Sequence, residues 1–255
     1  MRTRDLLYNL IYPFFSPRQM LRATTAVPWF LSSWSKYRRL ARAAGQPVPR
    51  FGDLHPAVHD RYDSAGTAHG DYFYQDVWAA RKVRESGVQE HVDVASRVDG
   101  FVAHCAVFTR VIYVDIRPLQ TRVPTIVPKA GSLLALPFDD RSVQSLSCLH
   151  VIEHVGLGRY GDPLDPHGTT KALKELQRIL SPHGALYLGT PIGRPRVCFN
   201  GNRISDPRDI VAALDQLRLV DFAAVDPTGE LVEHTALDGY ADVNYACGLF
   251  HFTRE

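Results

Sequence analysis

The chain has 255 residues, of which 45% are hydrophobic and 22% charged. That composition is ordinary for a folded, water-exposed protein and excludes a disordered, collagen-like or disulfide-scaffold chain. At roughly 150 residues per domain, the length allows one large domain with an appendage. Four cysteines (Cys105, Cys148, Cys198, Cys247) lie far apart without a CxxC pair. They argue against a thiolate zinc knuckle and for a reducing compartment. No apolar run approaches the about 20 residues that span a bilayer. The best stretch, Leu6 to Phe15, is broken by Asn9 and Pro13, and no small-residue cleavage site follows it. A cytoplasmic location is expected.

The net charge of +2 is unevenly spread. Residues 1–50 hold nine Lys/Arg against one acid, Asp5, so this stretch carries +8 and the remainder −6. Tyr8, Tyr12, Phe14, Phe15, Trp29, Phe30, Trp34 and Tyr37 are interleaved with these charges. One reading is a helical arm whose basic face is solvated. The other is peripheral contact with an anionic membrane through residues 1–45, rings at headgroup depth and cations on phosphates. Nucleic acid is not an expected partner, because the remaining domain is acidic and no nucleic-acid-binding signature occurs.

Residues 45–70 are rich in Gly and Pro and read as a connector. The expected organisation is therefore a basic, aromatic-rich arm and connector over 1–70 and an α/β domain over 71–255. In that domain, Tyr74–Arg84 reads as helix, His91–Ala95 as strand and Gly100–Thr109 as a crossover helix. Val111–Ile116 is a β-branched strand. Thr125–Val127 and Val143–Leu149 follow as the third and fourth strands. Thr169/Thr170 cap the next helix, whose stripe is Ala172, Leu173, Leu176, Ile179 and Leu180; Ser181-Pro182-His183-Gly184 stops it. Ala185–Gly189 is the fifth strand. Asp206 as N-cap and Pro207 start another helix with the stripe Ile210, Val211, Leu214, Leu217. Strands near Leu217–Val225 and Asn244–Thr253 complete five βα units and a final strand pair. In such a sheet ligands bind beyond the carboxyl ends of the strands, so the residues just after each strand are the candidates.

After the first strand the turn Asp93 to Gly100 contains only one glycine. Asp115 closes the second strand 22 residues after Asp93, a placement suited to ribose hydroxyls. Ser132, followed by Leu133, offers a polar and an apolar contact to an adenine, with Pro137-Phe138 beneath. The densest polar segment runs from His150 to Gly168 and includes Glu153, His154, Asp162, Asp165 and His167. Its His, Asp and Glu side chains are proton acceptors, and its glycines permit close ligand approach. A metal reading through His150, His154, Asp162, Asp165 and His167 lacks a recognised ligand spacing, and no metal is expected. Asn200 and Arg203 follow the fifth strand. Arg203 suits either a carboxylate or phosphate clamp or a surface ion pair.

These pieces resemble the class I S-adenosylmethionine-dependent methyltransferases. The likeness rests on Asp115, the LPFDD stretch, HVIEHV after strand four, and LKELQRILSPHGALYLGTP around strand five. More narrowly, SRVDGFVAH, VDIRPL, HVIEHVGLGRYGDPLDPHG, FNGNR and GLFHF resemble the DUF268 family. The resemblance covers about residues 71–255. It implies a Rossmann-like α/β fold, with a mostly parallel seven-stranded sheet and a terminal antiparallel strand, preceded by the helical arm. The implied cofactor is S-adenosylmethionine. Ala95, Ser96, Arg97 and Gly100 would face its methionine moiety, and Tyr74 and Gln75 would close that end. Asp115 would bind ribose with Ile116 beside the adenine, and Ser132 and Leu133 would line the adenine pocket. His150 would sit near the reactive sulfur. The turn departs from the family's DxGxGxG pattern, since Ala95, Arg97 and Asp99 stand where glycines are expected.

The implied reaction is methylation of a hydroxyl on a sugar, glycan or small metabolite. His150, Glu153 and His154 are the candidate bases. Asp162, Asp165, His167, Asn200 and Arg203 are candidates for substrate contact. The rival readings are a non-catalytic binding or scaffold protein on the same fold, and a metal-dependent enzyme built on the loop 150–167.

Overall fold

In a computed structural model, the described residues are 17–57, 66, 68–117 and 119–255. Residues 1–16, with their share of the basic and aromatic arm and the apolar stretch Leu6 to Phe15, lie outside them, as does connector segment 58–65. Two units are distinguished, Met1–Gly66 and Thr67–Glu255. The first contains helix α1, Pro17–Ala43, and a short 3₁₀ turn at Phe51–Asp53. Within it the Arg38 guanidinium lies 5.1 Å over the Trp34 ring, which meets Phe51 edge-on. Among the described residues no helix is long and apolar enough to cross a membrane.

The second unit is built on one twisted sheet. Its strands are β1 Glu90–Val94, β2 Arg110–Asp115, β3 Ile126–Ala130, β4 Val143–Leu149, β5 Leu180–Ile192, β8 Arg218–Val225, β9 Leu231–Val232 and β10 Ala246–Thr253. A separate hairpin, β6 Arg196–Cys198 and β7 Asn202–Ile204, follows β5. The order in the sheet is β3-β2-β1-β4-β5-β10-β8-β9. Strands β1 to β5 are mutually parallel, and β10 runs antiparallel to β5 and β8. The seven strands expected from the sequence, the antiparallel one among them, are present, and the two-residue β9 extends the sheet to eight. The chain moves outward from β1 to β3, then returns to place β4 on the other side of β1. That reversal makes a crevice at the carboxyl ends of β1 and β4.

Strand alternation divides the core in two. On one face Val92, Val94, Leu146, Leu186 and Leu188 pack under α4 (Gly168–Ile179) and α5 (Pro207–Ala213). On the other, Val111, Tyr113 and Tyr187 pack under α2 (Asp71–Ser86) through Trp78, Ala79 and Val83, spaced i, i+1 and i+5 on one helical face. At about 25 cal/mol per Å² of apolar area removed from water, these two layers supply most of the folding drive.

Three expectations differ from the structure. The crossover after β1 is one π-helical turn, Val98–Val102, running into a single α turn, Ala103–Cys105, which together form α3. Helix α4 begins at Gly168 with His167 at the N-cap, because a side chain at Gly168 would sit 2.2 Å from the Val155 carbonyl oxygen; Thr169 instead bonds the Ile152 carbonyl. Ser181–Gly184 is no stop, since α4 passes directly into β5 at Leu180. Pro182 is tolerated at the strand's start, where the neighbouring His183 N–H finds the Arg254 carbonyl. Asp206 is the N-cap of α5 as expected, accepting from the Arg208 N–H.

Candidate functional site at the carboxyl edge of the sheet

The ends of β1, β2 and β4 open on a hollow of about 660 Å³ when the space open to solvent is counted with it. Its walls are largely apolar, from Val94, Val114, Ile116, Leu133, Val151 and Val155. Its polar members are Asp115, Arg117, Ser132, His150, His154, Tyr160 and Asp162. Few, convergent polar groups on an apolar wall are the usual composition of a small-molecule site.

Two residues beside the crevice, Ala95 and His150, have left-handed backbones with φ of 56° each. Each follows its strand and still anchors to the neighbour: Ala95 N–H to Val114 O, and His150 N–H to Gly189 O, both 2.8 Å. Left-handed geometry in non-glycine residues costs about 1 kcal/mol or more and clusters at functional sites. A buried network holds the turn after β1. The Asp93 carboxylate accepts from Ser96 N–H (3.0 Å), Ser96 Oγ (2.6 Å) and Ser147 Oγ (2.5 Å). Ser147 spends its proton on Asp93, so His91 Nε2 must donate to Ser147 Oγ, and His91 Nδ1 accepts from Ser145 Oγ. Burial keeps His91 neutral, with its pKa lowered to about 3, and raises the Asp93 carboxyl to about 6.

Asp115 ends β2 almost fully buried, and both of its oxygens are engaged. Oδ1 accepts from Arg117 N–H (2.8 Å) and Nε (3.0 Å), and Oδ2 from Arg117 Nη2 (2.7 Å) and Tyr113 OH (3.1 Å). Burial pushes this carboxyl up, but the Arg117 bonds outweigh it and hold the pKa below the usual range. The Arg117 side chain is 55% exposed, so it is free to swing. Ser132 is brought beside Asp115 by the Gly131 N–H bond to the Asp115 carbonyl. Gly131 is required there, because a Cβ would lie 2.8 Å from both Val114 and Pro137.

His150 Nδ1 lies 2.5 Å from Gln75 Oε1. The Gln75 amide nitrogen faces Asp76 Oδ1 at 3.3 Å, and a carboxylate accepts only, so the amide oxygen faces His150 and Nδ1 carries the proton. His150 Nε2 is left with a lone pair and no partner. Burial first, then His154, lower the His150 pKa to about 4. Tyr72 lies tilted against His150 with ring centres 5.0 Å apart and planes 41° apart, and Arg97 lies 5.6 Å over Tyr72. Glu153 is 1% exposed, its Oε1 has no hydrogen-bond partner, and burial raises its pKa to about 8. His154 donates Nδ1–H to the Gly201 carbonyl (2.7 Å), and its Nε2 lies 3.6 Å from Glu153 Oε1. Burial lowers the His154 pKa, so at neutral pH this is a contact between two uncharged groups.

Of the residues expected at the site, Ala95, Asp115, Ile116, Ser132, Leu133, His150, His154 and Asp162 line the hollow. Gln75 and Ser96 stand behind it, supporting His150 and the β1 turn. Glu153 is buried beside His154. Gly100 lies over Asp76, where a Cβ would be 2.0 Å from the carboxylate. Arg97 pairs with Asp99 and, with Gly100, borders a second hollow beyond Tyr72. Tyr74 is not at the site; its hydroxyl bonds Glu230. Asp165 pairs with Lys171, His167 caps α4, and Asn200 is exposed on the β6–β7 turn. Arg203 is no ligand clamp here: its guanidinium bonds the Val155 and Asp165 carbonyls and staples the loop 155–165. Among the described residues no three His, Cys, Asp or Glu side chains gather as a ligand set. Arg117, Tyr160, Tyr72 and Asp76 are the site residues that sequence reading missed.

No curated protein sequence matches the chain. Among solved structures, the N-methyltransferase NodS from Bradyrhizobium japonicum, in complex with S-adenosyl-L-homocysteine, superposes with a TM-score of 0.51 at 14% identity, covering 78% of this chain and 93% of that one. Geranyl diphosphate methyltransferase in complex with SAM gives 0.50 at 15%, covering 71% and 85%. The [4+2]-cyclase SpnF gives 0.52 at 11%, covering 84% and 91%. At these identities the likeness is one of fold. A family model described as "Caenorhabditis protein of unknown function, DUF268" matches residues 139–243, the stretch from the loop before β4 to the residues before β10. Residues 139–243 are thus similar to the DUF268 family, within a fold like that of the class I methyltransferases.

Proposed function

We propose that the domain binds S-adenosylmethionine in the hollow at the carboxyl edge and methylates a hydroxyl of a sugar, glycan or small polar metabolite. The observation that carries the reading is the convergence of Asp115, Ser132-Leu133 and His150 on one apolar-walled hollow at the point where strand order reverses. The residue set fits the cofactor on one condition, that Arg117 yields the Asp115 oxygens to the ribose hydroxyls. Its exposure makes that swing sterically open. Asp115 would hold the ribose, Ile116, Leu133 and Ser132 the adenine, and Ala95 the amino-acid end. The bound cofactor supplies a methyl group already activated on a sulfonium.

The chain's own task is then alignment and proton handling. His150 is the proposed base. Gln75 fixes its tautomer, so Nε2 stays a lone pair, and burial keeps it uncharged across the physiological range. A hydroxyl becomes strongly acidic as its oxygen is alkylated, so even a weak base of pKa about 4 takes the proton late in the transfer. Glu153, held protonated near neutrality behind His154, supports that imidazole and is not the base.

Isothermal titration with S-adenosylhomocysteine tests the reading, with Asp115→Asn as the control. Binding by the wild-type chain, weakened in the folded variant by about 1.5–3 kcal/mol, supports it. No heat at high micromolar protein would leave the scaffold reading, which the glycine-poor β1 turn and the Arg117 fork on Asp115 favour. SpnF, a cyclase by name, shows that this fold alone does not dictate the reaction.

A further inference from the structure

Arg117 makes three of the four bonds to Asp115, two of them from its guanidinium. The same guanidinium lies 4.6 Å from the centre of the Tyr160 ring. Tyr160 belongs to the loop between β4 and α4, and it also meets Arg159 at 5.2 Å and the edge of His154 at 5.6 Å. Arg117, Tyr160 and Asp162 all line the hollow. The loop has its own internal frame: Asp162 accepts from the Gly156 N–H (2.6 Å) and the Tyr160 N–H (3.3 Å). Gly156, Gly158 and Gly161 carry φ of 82°, 70° and 87°, which only glycine adopts freely. The loop is therefore a pre-shaped flap, and its ring is joined to the ribose acid through one exposed arginine.

We propose that the Arg117–Tyr160 contact is an autoinhibitory latch. It satisfies Asp115 and holds the flap across the hollow, and a ligand with a vicinal diol opens it by taking both carboxylate oxygens. This inference rests on the nucleoside reading of the hollow and adds its regulation. A cis-diol returns two O–H donors to the two oxygens that lose Nε and Nη2, so the exchange is close to even for Asp115. The cost left over is the cation–π contact and the ordered flap. The apparent affinity of the wild-type chain is reduced by the fraction of molecules that are latched. The same exchange couples the two halves of the site, because freeing Arg117 also releases the Tyr160 ring that borders His154.

The test is titration of S-adenosylhomocysteine into the full wild-type chain, Arg117→Ala, Tyr160→Ala and Tyr160→Phe at pH 7.5. The latch predicts that Arg117→Ala and Tyr160→Ala bind about five- to thirty-fold tighter, and that Tyr160→Phe, which keeps the ring, matches wild type. Equal affinity in all four overturns the latch. Weaker binding by Arg117→Ala overturns it too, by making Arg117 a ligand contact. Trypsin cleavage after Arg159, which is exposed on the flap, supplies a reading without ligand. Faster cleavage in Arg117→Ala than in wild type upholds the latch, and an unchanged rate overturns it. If no folded variant binds S-adenosylhomocysteine, the cofactor reading falls, while the cleavage rates still decide whether Arg117 holds the flap.

Discussion

Glutamine in place of Glu153 should stabilise the protein at alkaline pH and leave it unchanged in acid. Glu153 is 1% exposed, Oε1 has no hydrogen-bond partner, and Oε2 reaches only Thr190 Oγ1 at 3.5 Å. Burial raises its pKa from 4.5 to about 8. A carboxyl whose pKa is higher in the folded chain binds its proton more tightly there, so folding takes up a proton. Stability then falls as pH rises from 4.5 to about 8 and levels off above. With those end points the cost is under about 1 kcal/mol at pH 4.5, about 2 at pH 6 and about 4 at pH 8. The raised carboxyls of Asp76 and Asp93 act in the same direction. They are common to both chains and cancel in the difference. Glutamine keeps the shape without the charge, and its amide N–H has an acceptor near by in His154 Nε2, 3.6 Å from the present Oε1. Urea unfolding of wild type and Glu153→Gln at pH 4.5, 6 and 8 measures the effect. The variant should gain nothing at pH 4.5 and on the order of 2–4 kcal/mol at pH 8. A constant difference across the three pH values, or a less stable variant at pH 8, would refute the assignment of a buried protonated acid.

Two further outcomes concern the support of His150. Gly189→Ala places a Cβ 2.4 Å from Gln75 Oε1 and 3.1 Å from its Cδ, so Gln75 must leave its place between His150 and Asp76. The expected loss is about 1–3 kcal/mol in urea unfolding, and an unchanged midpoint counts against the packing described. Gln75→Leu removes the acceptor for His150 Nδ1–H. Long-range nitrogen–proton NMR of the imidazole should change from a single Nδ1–H tautomer to a mixture, and a spectrum like wild type would mean that something else fixes the ring.

The strands of the crevice were legible because each leaves a local mark. Val111–Asp115 is β-branched and ends in an acid, and Val143–Leu149 is bounded by turns. The polar segment after β4 was legible by density alone. What composes the site was less so, because it is assembled from contacts distant in sequence: His150 with Gln75, 75 residues away, and Ser147 with Asp93, 54 away. Tyr74 was named with Gln75 at the methionine end, yet helical phase puts residues three and four apart on one face, which groups Tyr72 with Gln75 and Asp76. Arg117 did leave a signal. Asp-x-Arg occurs at Asp115-Ile116-Arg117, Asp139-Asp140-Arg141 and Asp206-Pro207-Arg208; in the first and third the acid accepts the backbone N–H two residues on and then the fork of that arginine, whereas the Arg141 N–H bonds the Arg178 carbonyl. The pattern allows a self-satisfied turn without dictating one, and its placement at a strand end in a ligand crevice is what makes the latch.

The turn after β1 shows how the crevice manages without the usual glycines, and it carries an electrostatic consequence. Ala95 takes the left-handed conformation itself, and Asp93 holds it there through Ser96 and Ser147, with neutral His91 completing the network. Asp93 therefore carries its charge among hydroxyls and an amide with no cation beside it. Asp76, behind Gly100, accepts from the Gln75 amide and has Arg97 near it, yet burial outweighs both and raises each carboxyl to about 6. Near pH 7.5 both are ionised while His150 is neutral and Glu153 mostly protonated. The region behind the β1 turn is then negative, and it favours a cationic over a neutral ligand. Near pH 5.5 most of that charge is gone. S-adenosylmethionine and S-adenosylhomocysteine differ at the sulfur by one methyl and one positive charge, so their affinity ratio isolates this term from the shared adenosyl contacts. Proton linkage requires that a cation which lowers each carboxyl pKa by less than a unit shift the ratio by less than tenfold per carboxyl. Titrating both ligands at pH 5.5 and 7.5 should show the methionine form losing about two- to tenfold relative to the homocysteine form in acid. A ratio independent of pH would mean that the two carboxylates are too well screened by their serine and amide donors to reach the sulfur, and that their task is to shape the turn alone.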